Sequence, residues 1–236
     1  MKKYISVWML IARSSFYKVL ILLPATVVAG FVVLFFGGWN KADLYHAVSG
    51  HSVFSVCLLI LCVILSRSLC RQGGQLTYTM RRLRISDKRV FWMQAAYNFV
   101  CIALLYMVQA LVYVVFSALY LRAHPAGHQT LFVTAYQYEV FHMVFPLENP
   151  LMWVCNTILM AGLAICTAAY PFRQRRDRRS LCTYLMAGVA LFFRFILGEE
   201  HHLGISAAFY CIPAALIIAA VSLAGVLGIE EEAYDE

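Results

Sequence analysis

Histidine and carboxylate are the residue types here most able to do chemistry. All seven histidines (His46, His51, His124, His128, His142, His201 and His202) fall in or beside three segments of the sequence, and Glu139, Glu148, Glu199 and Glu200 join them. Imidazole and carboxylate together are zinc ligands or proton carriers. Their spacings match no zinc motif, and HExxH is absent. Solvated loop residues are the plainer reading. The eight cysteines show no CxxC pair, so neither a disulfide framework nor a zinc site is indicated.

Arg194 is the single strong charge well inside an apolar run, where a charge is costly and often functional. It lies close enough to Glu199 and Glu200 to reach outward and pair with them. Asn98, Gln109, Asn156 and Thr157 are polar positions within other apolar runs. They either bond between helices or line a path through the membrane.

The elements that must position these residues follow from composition. The chain has 236 residues, of which 62% are hydrophobic and only 13% charged. Soluble domains carry roughly 25% charged residues. The apolar residues come in blocks near the length a helix needs to cross a bilayer. The expected fold is therefore all-α: a polytopic membrane protein with six transmembrane helices, about 19–36, 48–66, 91–121, 151–170, 181–197 and 205–227. Residues 1–18 carry Lys2, Lys3, Arg13 and Lys18 among Ile5, Trp8, Met9 and Ile11. They predict an interfacial amphipathic helix before the first span, with a simple extension of that span as the alternative. Residues 122–150 form an outer loop with a short interfacial helix in its aromatic middle, 131–145.

Sixteen of the nineteen Lys and Arg residues fall in the segments 1–18, 67–90 and 171–180, which this topology places on one side. Basic connectors stay cytoplasmic, so both termini are expected there. The formal charge of +7 then reports topology and contact with anionic lipid, and no nucleic-acid partner.

The connector 67–90 is longer than a turn requires and has internal pattern. Gly73-Gly74 breaks the chain, and Leu76, Met80 and Leu83 recur at helical spacing among arginines. A short amphipathic helix on the inner face results, which is a candidate docking surface.

On these features the chain resembles the six-span permease subunits of ATP-binding-cassette transporters, of the type-2 exporter class. The resemblance rests on an amphipathic N-terminal helix, six spans with both ends inside, and a long connector after span two. That connector ends in a phrase similar to the family's: Thr77 or Thr79, Met80, Leu83, Ile85-Ser86, then Lys88-Arg89. Arg84 stands where the family commonly has proline, and Gln94 lies near the place of its usual lysine. The resemblance implies a coupling helix over 76–86, with Leu76, Thr77, Met80, Arg81, Leu83, Arg84, Ile85 and Ser86 seated on a separate ATPase subunit. No GxxxxGK[ST] phosphate loop occurs, so ATP and magnesium would belong to that partner, and this chain would not be the enzyme. The resemblance also implies a second permease, identical or different, and a bacterial plasma membrane. Two other classes remain open: a membrane-embedded metal-dependent enzyme using the outer His and Glu residues, and a non-transporting immunity or sensing subunit.

Overall fold

A computed structural model of the chain describes residues 2–38, 49–67, 86–123, 130–136, 138, 141, 144, 145, 147, 150–174, 184, 188 and 214–223. Among them the only regular elements are helices: α1 (Lys2–Gly38), α2 (Ser49–Arg67), α3 (Asp87–Ala123), α4 (Leu131–Tyr136), α5 (Pro150–Gln174) and α6 (Ala214–Leu223). Three stretches, Ile5–Phe36, Lys88–Ala123 and Met152–Arg173, are long and apolar enough to cross a membrane. Their outward faces suit lipid: Phe36, Tyr17 and Met107 are 83%, 72% and 68% exposed. A soluble protein would not leave so much contiguous apolar surface to water.

α1 runs unbroken through Lys18, where the sequence divides an interfacial helix from span one. Its inward stripe explains the continuity. Val7, Ile11, Ser15, Val19, Leu22, Thr26, Gly30 and Leu34 are all buried and recur every three or four residues. One face of one helix thus meets the bundle along its whole length. Arg13 lies off that stripe and is exposed, so its charge costs the packing nothing.

Four long helices form the bundle. α1 touches α2 and α3, α5 touches the same two, and α2 and α3 meet more narrowly between them. α1 and α3 run parallel and in register. The Ser15 hydroxyl donates to the Tyr97 hydroxyl at 3.1 Å, and Gly30 faces Val112, both pairs being 82 residues apart in sequence. A Cβ on Gly30 would stand 3.1 Å from Val112 Cγ1, so glycine sets how closely the helices approach. The Trp8–Tyr97 and Phe31–Phe116 ring pairs, at 6.2 and 6.4 Å, close this seam at its two ends.

α5 runs antiparallel to α3. Phe172 meets Phe91 near the Asp87 end of α3, termed its inner end and the Ala123 end its outer end, with ring centroids 5.9 Å apart, and Asn98 meets Thr167 further along. α2 is likewise antiparallel to α3, joined by an edge-on Phe54–Tyr106 contact at 5.0 Å. α6 leans on α5, where Cys166 Sγ and Ser222 Oγ lie 3.3 Å apart.

Beyond the outer end of α3, α4 occupies the aromatic middle of the outer segment, six residues long. Local bonds hold the chain around it: the Tyr138 amide donates to the Ala135 carbonyl and the Leu147 amide to the Tyr136 hydroxyl. Phe145 packs edge-on to Trp153 of α5 at 4.9 Å.

Candidate functional site

Asn98, Gln109 and Asn156, three of the four polar positions marked in the apolar runs, are buried and converge on the seam between α3 and α5, whereas Thr157 is exposed and its hydroxyl donates to the Trp153 carbonyl at 2.8 Å. At 100° per residue, Asn98 and Gln109 lie within about 20° of one another on α3, and Asn156 and Thr167 do so on α5. Each pair is separated by the same eleven residues, about 17 Å of helix. The helices are antiparallel and Asn98 meets Thr167, so the register brings Gln109 to the level of Asn156. Two polar rungs therefore cross the seam, with Ile102, Leu105, Leu159 and Leu163 buried between their levels.

The inner rung is a relay. Asn98 Nδ2 donates to Thr167 Oγ1 at 3.0 Å, and the Thr167 hydroxyl donates onward to its own helix at the Leu163 carbonyl, 2.7 Å away. Asn98 Oδ1 receives no donor. At the outer rung Gln109 is 1% exposed, and its Oε1 also lacks a donor. Gln94, one turn inward of Asn98, adds a third buried amide to this side of α3.

An aromatic cap covers the outer rung. Tyr138 is 2% exposed, and its ring lies 5.4 Å from that of Tyr113 and 6.1 Å from that of Phe116. Those two residues sit one and two turns beyond Gln109 on the same side of α3. The Tyr138 hydroxyl has no hydrogen-bond partner. Burial, with a smaller contribution from Tyr120, raises its pKa above the usual phenol value.

Every buried polar residue among those described is uncharged: Ser, Thr, Asn or Gln. The seam can thus exchange hydrogen bonds but offers no fixed charge to an ion. Cys57, Cys62, Cys101, Cys155 and Cys166 are buried and in no disulfide. No group of three or more His, Cys, Asp or Glu able to hold a metal occurs among the described residues.

Of the expected docking residues, Leu76, Thr77, Met80, Arg81, Leu83, Arg84 and Ile85 lie outside the described residues, as do Arg194, Glu199 and Glu200. So do all the histidines except His51, which belongs to α2. Ser86 is described and immediately precedes α3. It is exposed, and its carbonyl accepts the amides of Arg89 and Val90 at 3.0 and 3.3 Å, the position of an N-cap.

Thr167 and Tyr138 complete the site, and sequence reasoning did not single them out. Thr167 sits in an alanine-rich stretch where a threonine ordinarily satisfies itself on the preceding turn. The eleven-residue spacing shared by the two pairs is the signal that points to it. The chain matches no protein-family model, no curated protein and no solved structure.

Proposed function

We propose that this chain is the membrane-spanning permease subunit of an ATP-binding-cassette exporter, with six spans and both termini cytoplasmic, in a bacterial plasma membrane. The observation that carries the reading is the connector between α2 and α3. These helices are antiparallel neighbours, and such pairs are ordinarily joined by about 2–8 residues. Here α2 ends at Arg67 and α3 begins at Asp87, leaving residues 68–86 between them. The excess length has pattern and charge, so it has work of its own. Docking on a separate ATPase accounts for its apolar stripe, its arginines and the lack of a phosphate loop in this chain. ATP hydrolysis in that partner would drive alternating access of the bundle, and Leu76, Met80, Leu83 and Ile85 would seat the connector in the partner's groove.

The test is affinity purification of the tagged full chain from gently solubilised host membranes, beside the double variant Leu83→Glu, Ile85→Glu. The expected result is an ATPase subunit that co-purifies with the wild type and is lost from the variant. Recovery of no ATPase, or equal recovery with both, rejects the reading.

A further inference from the structure

A buried oxygen left without a donor is unusual in a native interior and calls for an explanation. Asn98 Oδ1, Gln109 Oε1 and the Tyr138 hydroxyl are such atoms. All three belong to one strip: Asn98 and Gln109 are in line on α3, and Tyr138 lies over the next two turns. We propose that this strip is the binding surface of an uncharged amphipathic ligand bearing amide or hydroxyl groups, which docks when α5 parts from α3.

Three features select that chemistry. The strip supplies hydrogen-bonding groups that the closed seam leaves unused, so a ligand with donors gains what the packed state forgoes. It supplies no charge, so an ionic ligand would be stripped of water with no buried counter-ion among the described residues. Its two polar rungs stand about 17 Å apart with leucine and isoleucine between them, the span of roughly five extended residues of peptide. A ligand with polar ends and an apolar middle matches that order. The transport reading supplies the reason for such a ligand to cross, but binding to the strip requires no ATPase.

Cys155 reports on the seam. It is 0% exposed, in no disulfide, and adjacent in sequence to Asn156 of the outer rung. The experiment places the full chain in lipid nanodiscs without any ATPase and follows labelling of Cys155 by N-ethylmaleimide with peptide mass spectrometry. The probe is pentaleucine capped as the N-acetyl amide, and the control is the same peptide uncapped and zwitterionic. The expected result is slow labelling that the capped peptide retards by about fivefold, the worth of one hydrogen bond, while the uncapped peptide has no effect. Gln109→Leu, an apolar replacement of similar size, removes the protection, and so does Asn98→Leu at the other rung. Absence of any labelling, equal protection by both peptides, or protection undiminished in both variants overturns the proposal. Because the sample contains no ATPase, failure of the docking test leaves this result interpretable, and the converse holds as well.

Discussion

α3 has two sides that are built differently. Toward α1 it is parallel, apolar and closely fitted. A glycine sets the approach, aromatic pairs close both ends, and one Ser15–Tyr97 hydrogen bond crosses it. Toward α5 it is antiparallel and polar at two levels, with oxygens that the closed state leaves unserved. In lipid, where apolar area alone gives helices no reason to prefer one another, close packing and hydrogen bonds decide which contacts hold. The α1 seam depends on fit and the α5 seam on polar pairing as well, so the two should answer differently to substitution.

That contrast predicts opposite responses to substitution. The largest effect belongs to Gly30→Leu, which forces bulk into a contact with no room and should cost about 3 kcal/mol. It would be read as a fall in thermal unfolding temperature in detergent. Val112→Ala should relieve Gly30→Ala, whose Cβ would otherwise press on Val112, and an additive double variant would disprove the close fit. On the other side, Thr167→Val strands the Asn98 amide and should cost about 1–2 kcal/mol. Gln109→Leu removes an unserved oxygen and should be neutral or stabilising by up to about 1 kcal/mol. If both destabilise equally, the two rungs are ordinary packing. Tyr97→Phe deletes the acceptor for Ser15 and the hydroxyl's bond to Cys101, so a loss of about 0.6 kcal/mol per bond is expected, near the average for such bonds in membranes.

The outer cap sharpens the comparison through pH. The Tyr138 hydroxyl has its pKa raised in the folded state, so folding favours the neutral phenol. Its contribution is complete below the unfolded value near 10 and is lost as pH rises through the folded value. Stability should therefore decline above about pH 10, and Tyr138→Phe should flatten that decline. An unchanged alkaline profile in the variant would remove Tyr138 from this role.

Much of the helix layout was legible in the sequence, because a membrane span is written in one long apolar block. The expected 48–66 and 151–170 lie within a few residues of Ser49–Arg67 and Pro150–Gln174. The expected boundary at Lys18 falls inside one continuous helix, since the stripe from Val7 to Val19 carries the bundle face past Arg13 and Lys18, in line with the alternative of a simple extension of span one. The amide positions Asn98, Gln109 and Asn156 could be marked as candidates from their polarity alone. Which of them meet could not, since Asn98 finds Thr167 only in the antiparallel register, across 69 residues of chain. Tyr138 was hidden for a similar reason: nothing local distinguishes a tyrosine on a loop from one seated on the rings of another helix.

The Gly30–Val112 contact also divides α3 unequally. From Val112 the helix extends 25 residues inward to Asp87 and 11 outward to Ala123, arms of about 38 and 17 Å. A stiff rod turning on that fulcrum moves its inner tip rather more than twice as far as its outer one. Displacement at the Asp87 end, where the connector from α2 ends, would thus reach the aromatic cap reduced in distance and multiplied in force.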